Sequence, residues 1–187
     1  MSSGSYSIVE AEDGMGIALV LESSWENSLV DVIRRENVSV LRLSRSAGWD
    51  GKDISFLETL KGYGLRGIEV YAWDLRDITP LKFFPDLECL CIQCNFSEAP
   101  DFSLFGKLKV CKLFWRPKAE SVFLCSSIEL LNIVNYPTED LKSISSMFGL
   151  RRLLVTSRKL RSLVGIESLK ELRSLDLAGC TKLESLS

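Results

Sequence analysis

The sequence predicts an α/β solenoid: right-handed coils sharing one parallel, concave β-sheet, closed at the N-terminus by a β-hairpin and a helix. Two observations carry this. A strand pattern with apolar residues at its first, fourth and sixth positions occurs seven times, starting at Val38, Leu65, Leu87, Leu108, Ile128, Leu150 and Leu172. The steps between starts are 27, 22, 21, 20, 22 and 22 residues, and a fixed period above 20 outranks local secondary-structure signals. The clearest turn is Leu65–Asp86, in which Leu65, Ile68, Val70, Leu75, Ile78, Leu81 and Phe84 fall on the inside.

Composition sets the bounds. At 187 residues the chain can bury a substantial core, and 46% apolar with 26% charged residues is ordinary for a globular protein. A net charge of −2 argues against a nucleic-acid partner, which asks for a clustered basic face. Histidine is absent, which removes every Ser–His, Cys–His and His–metal arrangement within this chain. The first basic residue is Arg34, so no secretory leader is expected, and the early apolar run Ile17–Leu21 is too short to enter a membrane as a span. Six cysteines in that setting read as reduced thiols of a cytoplasmic protein.

The elements follow in order. Residues 1–7, MSSGSYS, are small and polar and are expected to fray. Ser7–Glu10 and Gly16–Glu22 read as strands joined at Asp13-Gly14, a hairpin turn pair. Ser24–Asn27 opens a helix whose Leu29, Val32 and Ile33 make one apolar face, with Arg34 and Arg35 at its favourable C-terminal end. Residues 1–37 thus form a cap over the first coil, which would otherwise present bare core and an unpaired strand edge. Residues 38–187 form a solenoid of about seven coils, each a strand, a turn and a return segment.

This pattern resembles the leucine-rich repeat, LxxLxLxxN, from Val38 to the end of the chain. The second coil is similar to the short, 22-residue, internalin-like bacterial class, whose return segment reads DIxPLxxL; here it is Asp77-Ile78-Thr79-Pro80-Leu81-Lys82-Phe83-Phe84. The final LRSLDLAGCTKLESL is near consensus, with Cys180 in the Asn slot. That slot holds Asn only at Asn95; the others are Ser46, Trp73, Arg116, Tyr136, Arg158 and Cys180, so irregular coils are expected. The fourth coil is the least regular, because Pro117–Ser127 lacks a clear apolar pattern.

Alternation along a strand puts positions 3, 5 and 7 on the concave face. There the sequence places Tyr71, Val110, Phe114, Leu130, Val134 and Leu154, with Trp73 and Trp115 at strand exits and Arg42, Glu69, Lys112, Arg152 and Asp176 around them. Aromatic anchors inside a charged rim are the composition of a protein-binding hot spot. Phe114 and Trp115 are both expected to be dispensable for folding. The cluster Cys89, Cys91 and Cys94, with Cys111 one coil on, invites a zinc reading, but Cys111 takes an inward position and cannot join the others; no metal or cofactor is expected.

No catalytic residue emerges. The resemblance implies a non-catalytic module that binds another protein, and small cytoplasmic repeat domains of this class look like immunity proteins that neutralise a toxin. A general adaptor is the alternative, and an enzyme using the thiol of Cys89 or Cys91 a more distant one. The last coil shows no obvious polar cap, and a monomer is expected in the absence of partner. Within the repeat, Leu90→Ala should lower stability by ~2–5 kcal/mol in denaturant unfolding.

Overall fold

The computed structural model of the chain describes residues 5–98 and 100–184. Its contacts gather into two compact units, Met1–Pro100 and Asp101–Ser187.

The first unit opens with β1 (Tyr6–Glu10) and β2 (Ile17–Leu21), antiparallel across a 3-10 turn at Glu12–Gly14. Asp13 and Gly14 take positive φ there, 54° and 71°, the conformation that an Asp-Gly pair supplies cheaply. Of the segment expected to fray, residues 1–4 lie outside the described residues, whereas Tyr6 and Ser7 pair in β1. The helix α1 (Leu29–Arg35) follows, then β3 (Val38–Ser44), β4 (Gly67–Ala72) and β5 (Cys89–Cys94). Strands β2 to β5 pair in parallel, in chain order.

The helix buries Leu29, Val32 and Ile33, the predicted stripe, but starts at Leu29 rather than at Ser24. Trp25 holds the preceding segment out of the helix. Its ring stacks on Phe56 at 4.7 Å and its indole N–H donates to Asn27 Oδ1 at 3.1 Å.

The register shows that the solenoid begins one coil earlier than the apolar pattern suggests. Leu19 pairs with Leu41 and Leu21 with Leu43, so β2 occupies the same strand positions as β3, 22 residues upstream, and α1 is its return segment. The first position of that coil is Gly16, which is why no apolar residue marked it. The pairing skips Ser39, whose hydroxyl donates to the Met15 carbonyl at 2.5 Å and accepts from the Ile17 N–H at 3.1 Å. Gly16 sits at φ 90°, and a Cβ there would come within 2.7 Å of that hydroxyl oxygen.

The second unit carries β6 (Val110–Phe114), β7 (Leu130–Val134), β8 (Arg152–Thr156) and β9 (Ser174–Ala178), again parallel and in chain order. In both units the apolar ruler marks the core. Positions 4 and 6 of the first six predicted strands are buried, from Leu41 and Leu43 to Leu153 and Val155; Leu175 and Leu177 of the last are half-buried. The end of that coil, residues 185–187, lies outside the described residues. Among the described residues no helix is long and apolar enough to cross a membrane.

The return segments after β3 are short 3-10 turns, and an Asp-x-Ser/Thr sequence starts three of them. Asp53, Asp77 and Asp101 each accept from the N–H and the hydroxyl of the residue two further on, as in Thr79 to Asp77 Oδ1 at 2.9 and 2.7 Å. In the second coil Pro80 adds a fixed φ to the first turn. Asp77→Ala removes both bonds and should lower stability by about 1 kcal/mol, the usual worth of such a cap. The bonds from the Thr79 backbone and hydroxyl hold the Asp77 carboxyl below its ordinary range. Its contribution is therefore complete above the ordinary aspartate value and lost as pH falls through the lower folded value. Denaturant midpoints of wild type and variant should converge in acid.

Candidate functional site

In the first unit the parallel register turns the outward positions into rows. Val20, Arg42, Glu69 and Cys91 lie side by side on β2 to β5, and Ser44, Tyr71 and Gln93 form the next row. Val20, Arg42, Ser44, Tyr71 and Gln93 of these rows line a cleft of about 570 Å³. Glu12, from the hairpin turn, also lines it, as do Arg45 and Trp73 beyond the strand ends.

The cations of the cleft are compensated. Arg42 donates through Nε to Glu69 Oε2 at 2.5 Å. Burial works against the Arg42 charge, yet the Glu69 hydrogen bond and attraction outweigh it and hold the guanidinium above its ordinary pKa. Arg45 grips Asp74 with two parallel bonds of 2.8 and 2.7 Å and lies over the Trp49 ring at 4.5 Å. Burial, together with the neighbouring Cys91 and Glu69, pushes the Tyr71 phenol far above its ordinary range, so it remains a neutral hydroxyl. A ligand therefore meets aromatic surface, two paired arginines and the Glu12 carboxylate. Trp73 is 49% exposed, beside a half-buried Tyr71.

Glu69 points outward as predicted but is only 2% exposed. It lies between the neighbouring strands, roofed by its pairing with Arg42, and is not itself part of the cleft lining. Glu12 and Val20 escaped the sequence reading. Val20 was legible through the 22-residue offset from Arg42; the overhang of Glu12 depends on how the hairpin folds back, which no spacing reveals.

In the second unit Phe114, Val134 and Thr156 make one row, Lys112, Asn132, Leu154 and Asp176 the next, and Val110, Leu130 and Arg152 the third. Phe114, Val134, Leu154 and Lys112 are half-buried and Arg152 is exposed, with the Arg116 guanidinium 5.2 Å from the Phe114 ring. Val110 and Leu130, expected on the open face, are buried.

Trp115 is a clear correction. It is 7% exposed and stacks on Phe123 at 5.2 Å with ring planes 13° apart. Phe123 in turn meets Tyr136 edge-on at 6.2 Å. This aromatic cluster fills the irregular fourth coil, supplying the interior that its return segment lacked in sequence. Strand parity carried the signal: position 8 points inward like 4 and 6, and at that position Ala72 and Cys94 are buried as well.

No protein-family model matches the chain, and no curated protein does. Two solved structures are similar in fold, both from Listeria monocytogenes. Internalin C2 superposes with a TM-score of 0.62 at 15% identity, covering 91% of this chain and 76% of that one. The internalin inlF gives 0.55 at 17% identity, covering 85% of this chain and 48% of its own. The fold is that of the leucine-rich repeats.

The two adjacent aromatics of the fourth coil now separate. Trp115→Ala should lower stability by about 3–5 kcal/mol, as for a buried aromatic. Phe114→Ala should leave the unfolding midpoint near that of wild type in the same denaturant series.

Proposed function

We propose that the chain is a non-catalytic protein-interaction module. The observation that carries this is the half-exposed Trp73 beside Tyr71 on the rim of a cleft whose arginines are paired. Trp and Tyr are the residues that most often anchor a protein partner. Phe114 and Val134 in one row and Leu154 in the next, with Lys112 and Arg152 beside them, offer the second unit a face of aromatic, apolar and basic side chains. The internalin likeness supports the reading at the level of fold.

The narrower reading is an inhibitor: a bacterial, cytoplasmic immunity protein that binds and blocks a cognate toxin, and that is monomeric without it. The short bacterial type of repeat and a cysteine content that suits a reducing compartment favour it. It expects one tight stoichiometric complex, whereas an adaptor would show several weaker ones. Pull-down from the native host, followed by identification of what is bound, separates the two.

On the captured partner, Trp73→Ala and Phe114→Ala should each weaken binding at least tenfold, about 1.4 kcal/mol, with thermal unfolding unchanged. Titration calorimetry reads the effect. Wild-type affinity in both variants would remove both faces from the interaction.

A further inference from the structure

The geometry points to a thiophilic metal site on the outward face of β4 and β5, built from Glu69, Cys89 and Cys91 and suited to zinc. One ligand atom from each of the three residues lies within 4.8 Å of the others, and all three residues are buried. The strand ladder creates the grouping. Glu69 on β4 stands opposite Cys91 on β5, and Cys89, two residues earlier on the same face, stands opposite Gly67. Gly67 has no side chain to separate them, and a Cβ there would sit 3.3 Å from that of Cys89. Sequence spacing alone offered Cys94 and Cys111, which are buried at inward positions; the missing third ligand is a carboxylate from the next strand.

The sulfur separation selects chelation over oxidation. Cys89 Sγ and Cys91 Sγ are 4.0 Å apart, and two thiolates on one tetrahedral zinc, each bonded at about 2.3 Å, stand about 3.8 Å apart. A disulfide needs Cβ atoms about 3.5–4.5 Å apart, whereas same-face neighbours along a strand are separated by two rises, about 6.7 Å. The strand would have to buckle to close that bond. It need not move to hold a metal.

Charge balances as well. Arg42 and Glu69 cancel. A divalent ion that replaces two thiol protons leaves the same net charge at the site, so binding buries no new uncompensated charge. Bonding Arg42 through Oε2 leaves the carboxylate with acceptor sites for the ion. Arg42 then orients the ligand, as hydrogen-bond donors around metal-bound carboxylates commonly do. Two sulfurs and one oxygen favour zinc over hard cations such as magnesium or calcium, and leave a fourth position for water.

The test uses the full chain. Purified protein is loaded with Zn²⁺, desalted and analysed for metal, and separately titrated with Co²⁺, whose thiolate charge-transfer absorption reports sulfur ligation. One zinc per chain and a cobalt–thiolate band are expected. Competition with a chromophoric chelator should show affinity lowered at least tenfold in Glu69→Gln and further in the Cys89→Ser, Cys91→Ser double variant, with Cys180→Ser like wild type. Circular dichroism verifies that each variant is folded; the isosteric Glu69→Gln decides alone where the double variant is not. Absence of stoichiometric zinc, absence of the cobalt–thiolate band, or undiminished affinity in Glu69→Gln would overturn the site.

Discussion

The parallel ladder is the constraint on which the rest depends. Once one strand pairs with the next, equivalent residues stand side by side, and a slip of one residue would turn every inward side chain to the outside. Each coil must then fill the same interior volume at positions 4 and 6, and each outward position becomes a row across strands. The ion pairs follow the same spacing. Arg66 binds Glu88 and Arg151 binds Glu129, each 22 residues apart, and Arg161 reaches Glu184 at 23. Exposed pairs of this kind contribute little energy, but they repeat because the register places their partners within reach.

Much of this was legible in sequence because leucine recurring at a fixed period of this length is the mark of stacked coils and of little else. Positions 4 and 6 could be read without a structure, and the Asp-Gly hairpin and the Leu29, Val32, Ile33 stripe likewise. What escaped was information carried by geometry rather than by polarity. Gly16 concealed a coil because it meets a steric demand, the approach of Ser39, and offers no apolar atom. The start of the helix moved because Trp25 found a stacking partner in Phe56, a contact between residues 31 apart in the chain.

The open face was legible in direction but not in exposure. Alternation states which way a side chain leaves its strand, and Glu69, Val110 and Leu130 do leave outward. Outward direction does not by itself give exposure: in the same row Val110 and Leu130 are buried while Arg152 is exposed. Trp115 shows the opposite case. Its size and its neighbour Phe114 suggested a surface anchor, yet parity assigned it to the interior, where the gap in an irregular coil needed a large ring.

The Arg42–Glu69 pair is where fold and function diverge. Taking two charges out of water costs several kcal/mol per ion, and replacing a buried pair with apolar side chains is often neutral or stabilising. The row tolerates such a replacement: Val20 occupies it on β2, and its counterpart on β8 is Leu154. Folding alone therefore gives no reason for a guanidinium and a carboxylate at this point. A reason appears when both are seen from the cleft. The pair presents the Arg42 side chain, 22% exposed, to whatever enters from above and holds the carboxylate beside two buried thiols below. An apolar pair would keep the ladder intact and lose both.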